Sequence, residues 1–236
     1  MDEFLEAVKF LTVIPINTVT DEKALAKSAR LFPLVGLSLG LALSIILSVF
    51  SRLTGHWTSI LLTIIAWESI TGGIHIDGLA DTFDGILSRK DREGILDVMR
   101  DSRIGTMGAL AIFFVLALKC LSLGELGNTY IKIIIAPMYG RFLITLSIFL
   151  FPYARREGKG SIFSKTLEGK DIALSGIITL IFGLLIGGER GLFTFFTVLI
   201  IGYLIAFYLY KRIGGLTGDM YGAICEIIEL VTLLLL

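Results

Sequence analysis

Charge and cysteine are both scarce in this 236-residue sequence. Only 18% of the residues are charged, basic and acidic residues number 21 each, and the formal net charge is zero. No bulk electrostatic field therefore recruits nucleic acid or an anionic surface. The two cysteines, Cys120 and Cys225, each lie inside an apolar run, which favours small buried side chains over a disulfide or a metal site. The Gly-rich loop and lysine of a Walker A motif are absent, which argues against an ATP-driven pump.

Apolar side chains are what the sequence has in excess. Hydrophobic residues make up 55% of the chain, and the mean hydropathy is +0.84. A soluble domain is normally about a quarter charged and less apolar. The first residues include Asp2 and Glu3 and lack a basic segment, so we expect no cleavable signal peptide. The composition predicts an integral membrane protein.

Seven apolar segments are long enough, or nearly so, to cross a bilayer as helices. They are Leu31–Phe50, Trp57–Ile76, Ile104–Leu123, Tyr130–Phe151, Ile172–Gly187, Gly191–Tyr210 and Ala223–Leu236. The last is short, which leaves open whether it fully spans. Residues 4–17, interrupted by Pro15, predict an interfacial or re-entrant helix. We therefore predict one all-α domain over residues 1–236, a polytopic membrane bundle of about seven transmembrane helices.

Three polar features of these segments carry local predictions. Lys119 lies near the far end of the third segment, where its side chain can snorkel to the interface. Pro137 and Gly140 are expected to break the fourth segment, and Arg141 beside them requires an acidic partner or an anionic ligand. Glu68, inside the second segment, is by the same reasoning a candidate functional acid.

The distribution of basic residues predicts the topology. The polar segments 1–30, 77–103, 153–171 and 211–222 hold sixteen of the twenty-one Lys and Arg residues. In a seven-span arrangement these four segments share one face, and basic loops stay in the cytoplasm. The sequence thus predicts a cytoplasmic N-terminus and an external C-terminus, with every polar motif described below on the cytoplasmic face.

The most informative stretch is Gly73–Gly85, which contains three aspartates at i, i+4 and i+7. On a helix, Asp77, Asp81 and Asp84 fall within an arc of roughly 60°. Three like charges on one face repel one another, and a divalent cation would turn this repulsion into coordination. Hard carboxylate oxygens suit Mg²⁺, which also takes phosphate oxygens as ligands. The alternative is a solvated acidic loop or helix start.

A second polar motif, Met99–Gly105, lies where the third apolar segment begins. Arg100 and Arg103 are suited to bidentate binding of phosphate. Asp97 and Asp101 are spaced i, i+4 and could complete a metal site or act on a nucleophile. The alternative is a cytoplasmic anchor with local salt bridges.

A third polar motif, Gly214–Glu226, combines glycines with two acids at i and i+7. Its backbone N–H groups could hold phosphate, with Asp219 and Glu226 as candidate ligand contacts. Glycine-rich loops are also common between membrane helices. His75 is a candidate catalytic group, or alternatively a polar cap at the end of the second apolar segment.

Acidic clusters and arginines on one membrane face describe chemistry on a diphosphate. Carboxylate-bound Mg²⁺ neutralises phosphate oxygens and the leaving group, and arginines hold the remaining charge. In-line displacement needs little from a protein beyond positioning and charge stabilisation.

Four motifs, in order, resemble the cobalamin synthase family, whose activity is adenosylcobinamide-GDP ribazoletransferase. They are Phe32–Gly36, Gly72–Gly85, Met99–Gly105 and Gly215–Ala223. The resemblance runs nearly end to end and shows no departure at the acidic positions. It implies that a hydroxyl of α-ribazole, or of its 5′-phosphate, attacks adenosylcobinamide-GDP with Mg²⁺ assistance. GMP leaves, and adenosylcobalamin or its 5′-phosphate forms at a prokaryotic inner membrane.

Within this interpretation the candidate residues receive roles from their spacing and chemistry. Asp77, Asp81 and Asp84 bind Mg²⁺. Asp101 or Asp97 completes the metal shell or accepts the hydroxyl proton, with His75 as a further catalytic candidate. The candidate substrate-binding residues are Arg100, Arg103, Asp219, Glu226 and Arg141. The identity of the base, the number of metal ions, the oligomeric state and the preference for free or phosphorylated ribazole stay open.

Two other kinds of protein share parts of this pattern. Intramembrane prenyltransferases and CDP-alcohol phosphotransferases also present aspartate pairs to Mg²⁺-diphosphate, although the second half of the CDP-alcohol motif is missing here. A cation or corrinoid transporter would place acids along a path through the membrane. In this chain most acids cluster towards one face.

Overall fold

The computed structural model describes residues 2–16, 22–125, 127–155 and 160–236. Over these ranges the chain is helical, which confirms the all-α prediction. The helices are α1 Asp2–Leu11, α2 Glu22–Ser28, α3 Phe32–Leu53, α4 His56–Thr71, α5 Ile74–Leu87, α6 Arg92–Val98, α7 Thr106–Gly124, α8 Thr129–Leu150, α9 Gly160–Ser164, α10 Gly169–Ile213 and α11 Gly218–Leu235. The short helix predicted over residues 4–17 is α1, which ends before Pro15; residue 17 lies outside the described residues.

Several helices have the length and composition of membrane spans. Four stretches qualify among the described residues, namely Lys23–Leu53, Thr106–Gly124, Thr129–Leu150 and Gly169–Ile213. A fifth span results if α4 and α5, which are bent by 87° at their junction, are taken together. The protein is therefore a multi-pass membrane protein.

The 45-residue helix α10 contains the two segments that the sequence predicts as a hairpin. Gly188 has non-helical φ and ψ of 59° and −146°, which divides the helix. Beyond this point Gly191 packs so closely on the carbonyl of Gly183 that a β-carbon at Gly191 would collide with it. Residues eight apart touch in this way only if the chain reverses. The total of seven spans stays a prediction, because α11, with its three acids, is not among the four qualifying stretches.

The second predicted span is wrong at its end. It was expected to continue to Ile76, but α4 ends at Thr71, and Ile74–Ile76 form the first turn of α5. The reason is the pair Gly72 and Gly73, whose φ angles of 66° and 67° place both residues in the left-handed region. Glycine adopts this region without steric cost, and a helix cannot continue through it. At 14 residues α5 is too short to span a bilayer by itself.

Two further expectations about the spans are corrected. Helix α8 continues through Pro137 and Gly140 rather than breaking there. Gly36 of α3 packs directly on the carbonyl of Pro137, and Gly40 packs against Ile134 one turn away, so α8 is closely supported at this point. Lys119 does not snorkel to the interface, because it is completely buried among carboxylates inside the bundle.

The polar segments meet at one end of the bundle, as predicted. Arg30 pairs with Asp171 at 3.1 Å, which joins the N-terminal region to the start of α10. Arg155 pairs with Asp219 at 2.8 Å, which joins the loop after α8 to the start of α11. Gly78 of α5 packs against the backbone of Asp219. These contacts bring the aspartate helix and the third polar motif together.

Candidate active site

The site is built on the crossing of α5 and α11, where two glycines allow the backbones to touch. A β-carbon at Gly78 would lie 2.6 Å from the carbonyl oxygen of Asp219, and one at Gly222 would lie 3.0 Å from the carbonyl oxygen of His75. Larger residues at either position would push the helices apart. The close crossing therefore places the acids of α5 beside Asp219.

The acids at this crossing influence one another. Burial, together with the charges of Asp77 and Asp219, raises the pKa of Asp81 to about 6, although Arg155 partly opposes the shift. Asp81 lies beyond the bend, on a helix outside the four qualifying spans. Burial likewise raises the pKa of Asp219, against the opposing effect of Arg155. Negative charges outnumber positive charges at this crossing, and a bound cation would reduce their repulsion.

Asp84 is engaged differently from the other two aspartates of α5. Its two carboxylate oxygens accept hydrogen bonds from the backbone N–H groups of Gly105, at 2.7 Å, and Gly108, at 2.8 Å. These groups form the N-terminus of α7, whose unpaired N–H groups and positive dipole end favour a carboxylate. Asp84 thus fastens the C-terminal part of α5 to the start of α7.

A cavity of about 470 Å³ opens beside the α5–α11 crossing. Its wall includes Lys9, His75, Asp77, Tyr153, Arg155, Asp219 and Tyr221. Among the described residues, Nε of Arg155 and the hydroxyl of Tyr221 are buried without a hydrogen-bond partner. Unpaired buried donors are costly, and an anionic ligand in the cavity would supply the missing acceptors.

Behind the cavity lies a buried network of charged side chains, here called the ion network, consisting of Glu68, Lys119, Arg141, Glu226 and Glu229. Nζ of Lys119 lies 2.7 Å from Glu226 and 2.7 Å from Glu229, and 3.4 Å from Glu68. Arg141 pairs closely with Glu229. Sequence reasoning placed Glu226 and Arg141 against substrate, whereas the structure pairs both with neighbouring helices in the interior.

His75 connects the ion network to the cavity. It is 4% exposed, lines the cavity, and its Nδ1 lies 3.3 Å from Nη2 of Arg141. Of the residues predicted as catalytic, His75 is therefore the one placed on the cavity wall.

The other two catalytic candidates lie in the exposed segment between α6 and α7. Asp101 accepts hydrogen bonds from Arg103, the shortest of 2.6 Å, and this lowers the pKa of Asp101 to about 2. A carboxylate with so low a pKa is a poor proton acceptor. Asp97 and Arg100 are exposed and lie 3.9 Å apart. Since Asp84 binds Gly105, this segment adjoins the end of α5 opposite to His75.

The side chains at this site limit how a divalent metal could bind. Among the described residues, no three Asp, Glu, His or Cys side chains are grouped so that they could hold one ion. Mg²⁺ does not require such a cage, since one or two carboxylates with water and substrate phosphate oxygens satisfy it. Asp77 and Asp81 lie one turn apart on α5, and their charges repel one another. This pair of carboxylates fits a Mg²⁺ ion whose other ligands are water and phosphate oxygens.

Sequence reasoning missed several residues of this region, above all Arg155, Tyr221, Lys9, Lys119 and Glu229. Arg155 was considered only for topology, as one of five basic residues in its loop. Tyr221 lies inside the third polar motif, two residues after Asp219. This position, close to an acid in a Gly-rich segment, was the available indication that it belongs to the site. The partners of Lys119 are 107 and 110 residues away, which spacing alone does not reveal.

Comparison with known proteins decides which family carries this arrangement. The sequence model of the family described as cobalamin-5-phosphate synthase matches residues 3–236. The chain belongs to this family. The resemblance stated from the motifs is thereby confirmed, and the protein is an enzyme, a transferase of cobalamin synthesis.

Curated relatives of the family align along almost the whole chain. An adenosylcobinamide-GDP ribazoletransferase from Roseiflexus sp. (strain RS-1) is 39% identical, covering 97% of this chain and 86% of the relative. The protein of the same name from Brevibacillus brevis is 38% identical, covering 100% and 98%. That from Alkaliphilus metalliredigens is 37% identical, covering 97% and 92%. No solved structure matches the chain.

Proposed function

We propose that the protein transfers the cobinamide phosphate of adenosylcobinamide-GDP to α-ribazole or its 5′-phosphate. GMP leaves, and adenosylcobalamin or its 5′-phosphate forms. The names of the relatives supply both reactants, adenosylcobinamide-GDP and ribazole. This chain aligns with these relatives over nearly its full length, which supports the same chemistry here.

One structural observation supports the proposal most directly. Two acids that repel one another, Asp77 and Asp219, share the wall of a single cavity with Arg155 and Tyr221, each of which has a buried donor without a partner. A diphosphate with a bound divalent cation complements both kinds of group, because the cation meets the carboxylates and the phosphate oxygens meet the donors.

Asp77 and Asp81 would hold Mg²⁺ together with phosphate oxygens of the substrate. The ion would neutralise diphosphate charge and so favour departure of GMP. Asp84, predicted as a third ligand, contributes here by holding α5 in place through Gly105 and Gly108. Direct binding of the metal by Asp84 stays a prediction, and the number of ions stays open.

The binding of phosphate falls to groups on two sides of α5. Arg155 and Tyr221 line the cavity, and each has a buried donor without a partner that a phosphate oxygen could satisfy. Arg100 and Arg103 lie on the exposed segment near the other end of α5, where they pair with Asp97 and Asp101 in contact with solvent. These arginines can exchange those partners for a phosphate at little cost.

The basic residues at the cavity end of the bundle indicate its orientation in the membrane. The segments that meet around the cavity are those that hold most of the basic residues. Under the positive-inside rule this end faces the cytoplasm. We therefore place the active site on the cytoplasmic face of a prokaryotic cell membrane, the inner membrane where there are two.

The decisive experiment measures product from purified protein in lipid nanodiscs. With adenosylcobinamide-GDP, α-ribazole or its 5′-phosphate and Mg²⁺, we expect release of GMP together with an adenosylcobalamin product. A prenyl diphosphate and a CDP-alcohol serve as competing substrates. Turnover with either of these, and none with adenosylcobinamide-GDP, would overturn the proposal. Labelled corrinoid taken up into vesicles without product formation would instead support a transporter.

A matched pair of variants tests the role of the aspartate helix. Asp81→Asn should abolish turnover while the protein folds normally, because it removes a repelled carboxylate. Asp91→Asn is the control, since Asp91 caps α6 by accepting from Gly94 at 3.1 Å and asparagine caps equally well. Full activity of Asp81→Asn would contradict the metal assignment.

A further inference from the structure

The ion network determines the hydrogen bonding of His75, one of the residues that line the cavity. Its main chain packs against Gly222 of α11, and the residue both lines the cavity and contacts Arg141. Nδ1 of His75 lies 3.3 Å from Nη2 of Arg141. The direction of this hydrogen bond determines which chemistry His75 can offer to a ligand, and the inference below rests on the proposed function.

Arginine can only donate in such a contact. Its guanidinium carries five N–H donors and no acceptor, and it stays protonated in proteins. Nδ1 of His75 must therefore be the acceptor and carry no proton. In a neutral imidazole the proton then resides on Nε2.

The guanidinium is itself fixed from the side opposite to His75. Nη1 of Arg141 donates to Glu229 and, at 3.4 Å, to the carbonyl of Pro137. Glu229 is in turn held by Lys119 at 2.7 Å, and all three charged side chains are at most 1% exposed. Arg141 is thus a positioning residue, held by Glu229 of α11 and by the carbonyl of Pro137 on its own helix α8.

We propose that His75 acts as a neutral hydrogen-bond donor, presenting Nε2–H to a phosphate oxygen of the bound diphosphate. It does not take up the proton of the attacking hydroxyl, because Nδ1 is occupied by Arg141 and Nε2 already carries a proton. This assigns the buried ion network a purpose in the reaction, namely to set the tautomer of one residue on the cavity wall.

The tautomer can be observed without any turnover. The chain contains only two histidines, His56 and His75. His56 lies elsewhere, with Nε2 3.0 Å from the carbonyl of Gly124, so a His56→Gln variant leaves His75 as the single histidine. In protein labelled with ¹⁵N and ¹³C histidine and held in bilayers, we expect a protonated nitrogen bonded to Cδ2 and an unprotonated one bonded to Cγ. The reverse pattern, or two protonated nitrogens, would overturn the proposal.

Activity supplies the second test. In His75→Gln the amide oxygen can accept from Arg141 and the amide N–H can donate into the cavity, so we expect kcat within about tenfold of the parent. His75→Ala removes the donor and should lower kcat by about 10²–10³, the usual loss for one donor to a developing oxyanion. An equal loss in the two variants, both folded as judged by their melting temperatures, would show that donation is not the role.

The two proposals fail in different ways. If the parent enzyme releases no GMP from adenosylcobinamide-GDP, the proposed function is wrong, while the nitrogen spectra still decide the tautomer. If the parent is active and the spectra place the proton on Nδ1, the role of His75 is wrong and the function stands. Where the parent is active, His56→Gln should retain full activity.

Discussion

Lys119 lies between two buried glutamates, and its removal should destabilise the protein severely. Its Nζ lies 2.7 Å from both Glu226 and Glu229, and the three side chains are at most 1% exposed. Lys119→Met keeps the length of the side chain but leaves these carboxylates with Arg141 as their remaining cation. Losing one partner of a buried pair costs about 3–5 kcal/mol, because a charge is left uncompensated in a medium of low dielectric constant.

The expected loss translates into a measurable change in melting temperature. For a protein of this size, 1 kcal/mol corresponds to about 2–4 °C, so Lys119→Met should melt roughly 6–20 °C below the parent. Thermal unfolding can be followed in detergent by tryptophan fluorescence, since Nζ of Lys119 lies 4.5 Å from the centre of the Trp67 ring. Trp67 then reports on the immediate surroundings of the substitution.

A second substitution tests whether charge is the cause. Lys119→Met combined with Glu226→Gln restores the original balance of charges and should recover most of the lost stability. Lys170→Met is the control, because Lys170 pairs with Glu168 on the surface, where both side chains are more than 60% exposed. Such pairs contribute little. A double variant no more stable than Lys119→Met would refute the argument, as would an unchanged melting temperature in the single variant.

Three further substitutions test the site itself. Gly78→Ala should lower the free energy of unfolding by about 1–3 kcal/mol and remove most of the activity, because the added methyl group would collide with the backbone of Asp219. Gly55→Ala is the control: Gly55 has open space around it, so the melting temperature and product formation should be nearly unchanged. Arg155→Lys should raise KM for adenosylcobinamide-GDP, because lysine keeps the charge but loses the unpaired Nε donor, and an unchanged KM would remove Arg155 from the binding site. Arg103→Lys should weaken the binding of adenosylcobinamide-GDP, measured by titration without ribazole so that no reaction occurs. An unchanged affinity would leave this arginine as a topology anchor.

The aspartate helix shows how far sequence could predict the site. A regular i, i+4, i+7 spacing between apolar segments was sufficient to predict a helix with its acids on one face, and α5 confirms the helix. The bend before it was not predicted. Hydropathy averages over a window and continues across Gly72 and Gly73, whereas the bend depends on backbone angles that two adjacent glycines merely permit.

The ion network shows what sequence could not predict. The chain gave sound reason to expect a partner for Arg141, and the structure identifies Glu229. It gave no means of choosing among the available acids, because hydropathy assigns helices without stating which of them are neighbours. Lys119 was misjudged for the same reason: its depth in the membrane could be estimated from the sequence, but not whether it faces lipid or protein.

The left-handed pair Gly72–Gly73 has a consequence for the size of molecule that the enzyme can process. By turning α5 nearly at a right angle to α4, it presents the aspartates sideways at the end of the bundle rather than within it. Under the proposed function, the corrinoid ring of the substrate can then stay outside the 470 Å³ recess while its phosphate-bearing arm enters. The bilayer would hold the catalyst without having to admit the bulk of its substrate.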